Sequence, residues 1–389
     1  MVQFYILQSL IIGFVIVSYF IPKIIYISRE KKLFDIPNER SANKKITPHL
    51  GGIAIFAGFY VSLIVTLNSF DIRLVSGLLL ASVVMFLIGL KDDLMGLSAS
   101  KKLFFQLFTA VYLVFMGGVR ISNLHGLLGI YEIDGDASSL LTLVAIVGIT
   151  NAYNLIDGID GLAAGMGILI SIVYGALFTL SGQIEYGIVS FSLTGSLIAF
   201  FFYNVFGKAN KIFMGDTGSL LLGIVFAFLT IKFLDQPGHS QAQLFGSPAI
   251  ALSIMIVPIV DTIRVMIIRM AQKRSPFSPD MNHIHHQLIR ITGNNHLHAT
   301  LIIMVANLSF IAFACGFIYM LGNNWLFFIL AAGGFSLAYI PVWVNRQNEK
   351  LKLDKKDSDI KVISINRKAD FQEKGRNEKG RNEKMRNEK

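Results

Sequence analysis

Cysteine is almost absent. Cys315 is the only one in 389 residues, so no internal disulfide can form, and its place in an apolar run suits inert packing. Charge is scarce as well: 15% of residues are charged against 53% hydrophobic, with a mean hydropathy of +0.58. That balance excludes an ordinary soluble domain, because long apolar runs need lipid or a very large core. No basic residue precedes the first apolar run, so no cleavable signal peptide is expected and the N-terminus should stay outside. The lone cysteine and the lack of an HExxH spacing also speak against a zinc site.

What is present is apolar sequence in membrane-length pieces. Eleven spans, each near the ~20 residues that a bilayer needs, are expected at 4–22, 51–69, 74–90, 103–119, 138–154, 161–180, 187–206, 217–233, 248–270, 299–321 and 325–344. The predicted class is therefore an all-α polytopic membrane protein. With the tail left out, the loops on one side carry sixteen Lys and Arg and those on the other carry three. The positive-inside rule then puts the N-terminus outside and the C-terminus in the cytoplasm. The net charge of +10 reads as topology and contact with anionic lipid, not as nucleic-acid binding.

Two regions are expected: a transmembrane part, 1–345, and a charged tail, 346–389, which ends in RNEK at 376–379, 381–384 and 386–389. Such low complexity cannot bury enough apolar surface to fold, so disorder is expected there.

Every chemically suggestive stretch falls on the cytoplasmic side, whereas the longest outside loop, 121–137, holds no nameable constellation. Asn151–Gly165 reads NAYNLIDGIDGLAAG, with Asn154, Asp157 and Asp160 three apart. On a helical turn all three can point at one ligand, and carboxylates beside a membrane segment are costly unless something uses them. Asp92 and Asp93 are adjacent in KDDLMG, where a carboxylate pair can hold a divalent cation or one member can act as a base. FMGDTGS holds Asp216 at a helix start, so Asp216 or Thr217 is a candidate N-cap, and magnesium commonly takes one or two carboxylates plus phosphate oxygens. Lys208 and Lys211 stand just before it. Asp261 and Arg264 are spaced for an intrahelical ion pair. His283, His285 and His286 cluster in SPDMNHIHH, and Asp35, Arg40, Lys44 and Lys45 precede TPHLGG, where basic residues before a helix start suit an anion.

Together TPHLGG, KDDLMG, NLIDGIDGL, FMGDTGS and SPDMNHIHH, in that order over roughly 1–345, resemble the polyprenyl-phosphate N-acetylhexosamine-1-phosphate transferases, integral membrane enzymes that start lipid-linked glycan assembly. The branch acting on UDP-N-acetylmuramoyl-pentapeptide has PxHHHxE where this chain has HIHH. The match looks better to the branch that uses UDP-N-acetylglucosamine or a related UDP-N-acetylhexosamine, which primes O-antigen, enterobacterial common antigen or wall teichoic acid. Met281 and Asn282 depart from the Arg-Gln common in that branch.

The resemblance implies transfer of a sugar phosphate from UDP-N-acetylhexosamine to polyprenyl (undecaprenyl) phosphate at the cytoplasmic face of the inner membrane, with release of UMP. It implies Mg²⁺ on Asp216, with Mn²⁺ as a substitute. Asn154, Asp157 and Asp160 would contact uridine and diphosphate, and Asn204 is placed among the substrate-binding residues. His283, His285 and His286 would hold diphosphate or sugar. Asp92 or Asp93 would take the carrier's proton, and Lys44, Lys45 and Lys101 would meet phosphate. A homodimer is compatible with it. The rival class, a secondary transporter, would place its site near the bilayer midplane, often between internal repeats, and no repeat is evident here.

Overall fold

A computed structural model describes residues 2–34, 47–68, 70–236, 244–276 and 282–387, with side chains as far as Leu351. Asp35, Arg40, Lys44, Lys45, Asp280 and Met281 lie outside the described residues.

The described chain is built almost wholly of helices: α1 (Val2–Glu30), α2 (Gly51–Leu67), α3 (Arg73–Met95), α4 (Ala99–Phe115), α5 (Gly135–Leu155), α6 (Leu162–Leu180), α7 (Ile184–Phe201), α8 (Gly215–Leu234), α9 (Pro248–Ala271), the short α10 (Ile284–Ile291) and α11 (His296–Asn387), the last interrupted at Gly322. The eleven predicted apolar segments fall on this series, and eight of the helices are long and apolar enough to cross a membrane. The chain is an all-α polytopic membrane protein. Two compact units are distinguished, Met1–Ala338 and Tyr339–Lys389. The backbone of the second is helical through Asn387. Lys, Arg, Glu and Gln are good helix formers, so a helical backbone is compatible with its low complexity.

In the first unit α8 is the hub. It is apolar on all sides, and seventeen of its twenty residues are buried. A helix without a polar face must be enclosed, and α2, α3 and α5 enclose this one. Contact with α2 is closest at the helix starts, where a Cβ on Gly52 would fall 2.2 Å from the backbone nitrogen of Gly218. The TPHLGG segment also pairs with the residues before α8: Phe213 N–H donates to Pro48 O, Gly51 N–H to Phe213 O and Gly52 N–H to Met214 O, at 2.7–2.9 Å. Two motifs 160 residues apart thus form one backbone unit beneath the α8 start.

At the other end of the helices, the loop between α4 and α5 forms an antiparallel hairpin, β1 (Asn123–Leu127) with β2 (Ile130–Glu132). Asn324, just past the Gly322 break, donates to Gly126 O at 2.8 Å and accepts the Leu128 N–H at 2.6 Å.

Candidate active site

The acidic motifs converge at the α8 start. Asp216 is the second residue of α8. Neither Asp216 nor Thr217 caps that helix, contrary to the sequence expectation. The cap comes from α3: one Asp93 oxygen accepts the Asp216 N–H at 2.8 Å, and the other accepts the Thr217 N–H at 2.9 Å and its hydroxyl at 2.5 Å. Gly215 makes this approach possible. It has φ of +73°, and a Cβ there would fall 2.2 Å from His49 O and 2.5 Å from Asp93 Oδ2. His49 of TPHLGG in turn places Nε2 2.8 Å from Asp93 O.

With its backbone fixed, the Asp216 carboxylate is oriented by two donors. Asn154 Nδ2 reaches Oδ1 at 2.6 Å and Ser219 Oγ at 2.7 Å, and Lys102 Nζ lies 3.2 Å from Oδ2. The same ammonium pairs with Asp92. The other Asp92 oxygen accepts the Leu97 N–H at 2.5 Å, which holds the turn between α3 and α4. Asp92 and Asp216 therefore converge on a single cation. The sequence pointed to Lys101, but that side chain is exposed. The α4 helix starts at Ala99, and its phase turns Lys102 inward instead.

Asp157 and Asp160 lie in the turn 156–161 between α5 and α6. Burial, reinforced by the charges of Asp216, Asp93 and Asp160, pushes the Asp157 carboxyl up to about 8. Asp160 goes the other way. Burial alone would raise it, but hydrogen bonds and charge from His296 and Lys211 outweigh burial and hold it below the usual carboxylate range. Lys211 Nζ is 2.6 Å from Asp160 Oδ2, and His296 Nδ1 is 3.0 Å from the same oxygen. Asn204 sits on a π-helical turn, Phe202–Phe206, and is buried. Its Oδ1 accepts the Gly161 N–H at 2.6 Å and its Nδ2 donates to Ile212 O at 2.8 Å. Both ends of Asn204 thus bind backbone, tying the 156–161 turn to the segment before α8.

The histidine motif is organised by α9. The expected pair forms, Arg264 Nη2 to Asp261 Oδ1 at 2.8 Å. Asp261 also accepts the Ile284 N–H at 3.0 Å, and its Oδ2 is 2.9 Å from His283 Nδ1. His283 is thereby committed to α9. His285 stacks on His283, with ring centroids 5.6 Å apart. Its Nε2 lies against Gly158, where a Cβ would come within 2.1 Å, so the motif rests directly on the 156–161 turn. Burial, with the neighbouring His286, lowers the His285 imidazole to about 3, which makes it neutral near pH 7. Its Nδ1 has no hydrogen-bond partner among the described residues. His286 packs on the His285 ring at 4.3 Å.

The site holds an oxygen donor set suited to a hard cation. Among the described residues no group of three or more His, Cys, Asp and Glu is arranged to hold a metal. Two converging carboxylates, Asp92 and Asp216, are present, and magnesium commonly asks no more of a protein when phosphates and water complete its shell. The residues fit magnesium on those terms.

The profile of glycosyl transferase family 4 matches residues 75–234, the stretch holding the Asp92, Asn154 and Asp216 motifs. The chain is 35% identical over 291 residues to a decaprenyl-phosphate N-acetylglucosaminephosphotransferase of Mycobacterium tuberculosis, covering 69% of this chain and 71% of the relative. It is 32% identical over 282 residues to an undecaprenyl-phosphate alpha-N-acetylglucosaminyl 1-phosphate transferase of Yersinia pestis, covering 71% and 74%. A protein of the same description from Escherichia coli K12 is 29% identical over 285 residues, covering 72% and 76%. The chain belongs to the polyprenyl-phosphate N-acetylhexosamine-1-phosphate transferase family. Membership makes it a multi-pass membrane enzyme of the phosphoglycosyl transferase class.

Proposed function

We propose that this enzyme transfers N-acetylhexosamine-1-phosphate, most naturally N-acetylglucosamine-1-phosphate, from a UDP-sugar to polyprenyl phosphate. The observation that carries this reading is the convergence of Asp92 and Asp216, from α3 and α8, on Lys102, with Asn154 of α5 holding the Asp216 carboxylate. Phosphoryl transfer between two anions needs such a concentration of positive charge. The Lys and Arg bias of the loops supports an N-terminus outside, a C-terminus inside and a site at the cytoplasmic face.

In the reaction, an oxygen of the carrier phosphate bonds to the β-phosphorus of the UDP-sugar as the α–β bridging bond breaks, and UMP leaves. Asp216, held by Asn154, would hold magnesium, which supplies charge neutralisation on the diphosphate. Lys102, now shared by Asp92 and Asp216, is then placed to meet a phosphate oxygen. Asp92 faces this space and is the better placed of the two neighbouring carboxylates to take the carrier's proton, since Asp93 is engaged in capping α8. Asp157 and Asp160 would face the nucleotide, with His283, His285 and His286 closing the diphosphate and sugar side. His283 would act chiefly by fixing the motif to Asp261.

The test is UMP formation by purified protein with polyprenyl phosphate and a panel of UDP-sugars, with and without magnesium. UDP-N-acetylglucosamine or another peptide-free UDP-N-acetylhexosamine should turn over, and only with a divalent cation, Mn²⁺ substituting for Mg²⁺. Efficient use of UDP-N-acetylmuramoyl-pentapeptide, with none of UDP-N-acetylglucosamine, would overturn the substrate assignment.

A further inference from the structure

Asp160 is held from a helix that contributes none of the family motifs. His296 is the first residue of α11, and Thr300 and Met304 follow at four-residue steps on the same face. All three meet the segment 160–165. His296 Nδ1 lies 3.0 Å from Asp160 Oδ2 and 3.2 Å from its backbone nitrogen. Thr300 Oγ1 donates to Asp160 O at 3.0 Å. Met304 packs on Gly165, where a Cβ would fall 2.6 Å from the sulfur. One residue is therefore gripped at its amide, its carbonyl and its carboxylate by a single helix face.

The grip does not depend on how His296 is protonated. With a proton on Nδ1 the ring donates to the carboxylate, and without one it accepts the amide N–H. From the opposite side Lys211 binds the same carboxylate oxygen at 2.6 Å, and Asn204 holds the next residue's amide. Lys211 and Asn204 flank the segment that leads into α8, so they fix the turn relative to Asp216. The α11 face fixes it relative to the last helices. Lys211 and His296 both bind one oxygen of the Asp160 carboxylate, whose side chain is 12% exposed.

We infer that His296 is a positioning residue for the nucleotide subsite, acting through Asp160, with Thr300 as its second contact. The inference rests on the reading of the 156–161 turn as the nucleotide side of a UDP-sugar site. Support of this kind is worth most where it orders an acceptor before the ligand arrives.

The experiment measures UMP binding to the full-length protein in lipid nanodiscs, together with KM and kcat for UDP-N-acetylglucosamine and KM for polyprenyl phosphate. His296→Ala should weaken UMP and raise KM for the UDP-sugar by about tenfold, a loss of about 1.4 kcal/mol. The carrier KM should stay within twofold and kcat should change less than KM. Thr300→Val should act in the same direction, and His296→Gln should recover part of the loss.

The deciding measurement is the cycle with Asp160→Asn. If His296 works through Asp160, His296→Ala should add less than about twofold in that background. An equal loss in both backgrounds, or unchanged UMP affinity in His296→Ala, overturns the inference. If His296→Ala does not fold, Thr300→Val and His296→Gln complete the same cycle. If the unaltered protein prefers another nucleotide to UMP, the functional reading falls instead, and the cycle is read with that nucleotide.

Discussion

Asp93 and Thr217 belong to different helices, yet the carboxylate of the first accepts both the backbone N–H and the hydroxyl of the second, at 2.9 and 2.5 Å. Adjacent aspartates are therefore not equivalent. Asp93 holds the frame of the site, and Asp92 faces its cation position.

The two should separate by experiment. Asp93→Ala leaves the α8 amides without their acceptor and should cost about 1–2 kcal/mol, the range for loss of a helix cap. A thermal unfolding midpoint in detergent reads it. Asp92→Asn should leave that midpoint nearly unchanged and slow the reaction most below about pH 7. Recovery above is expected because a phosphate monoester with a second pKa of about 6 then arrives already ionised. If Asn at both positions is equally inactive across pH and recovers with excess magnesium, the pair is a metal site and the base role is wrong.

Asp216→Asn should be nearly inactive at every pH and magnesium concentration. The side chain is positioned by Asn154 and by its own capped backbone, so the charge it supplies is fixed at this point of the site. Removing that charge stabilisation should cost several kcal/mol in the transition state. Steady-state kcat/KM checks this, and more than a tenth of normal activity would sink it.

Asp157 makes the ligand-free protein sensitive to alkali. Its folded pKa of about 8 stands above the unfolded value of about 3.9. Between those values the folded state holds a proton that the unfolded state has lost. The stabilisation from this group is full below about pH 4 and falls away as pH rises through about 8. The unfolding midpoint should therefore decline from pH 5.5 to 8.5 more steeply in the unaltered protein than in Asp157→Asn. Parallel declines would remove the proton from Asp157.

Truncation after Asn345 should leave transferase activity within a few-fold. The tail is polar and repetitive, and no site motif lies in it. A hundredfold loss in properly inserted protein would make the tail part of the site.

The apolar segments and the five motifs were legible because each is local: a run of ~20 apolar residues, or a few polar residues at fixed spacing beside one. What the sequence hid depends on helix phase or on distance along the chain. Lys101 and Lys102 are neighbours in sequence, and only the start of α4 at Ala99 decides which one turns inward. The capping partner of α8 is 124 positions away from Thr217, beyond the reach of any local capping pattern. His296 lies outside the five motifs, and only Thr300 and Met304, one and two four-residue steps on, show the helix face that aims it at Asp160. The loop at 121–137 appeared bland because its hairpin is fastened by Asn324, two hundred residues later.

The enclosure of α8 also bears on how the protein is made. Its partners α2, α3 and α5 all precede it in the chain, so the cradle for α8 is synthesised before α8 itself. An unbroken apolar helix carries no signal for where to stop against its neighbours, and the Asp93 carboxylate supplies one by catching its first turn. Until about residue 217 has been synthesised, Asp93 is without these donors. A nascent chain that stops short of that point leaves the Asp93 carboxylate without these three donors, and a slightly longer one supplies them.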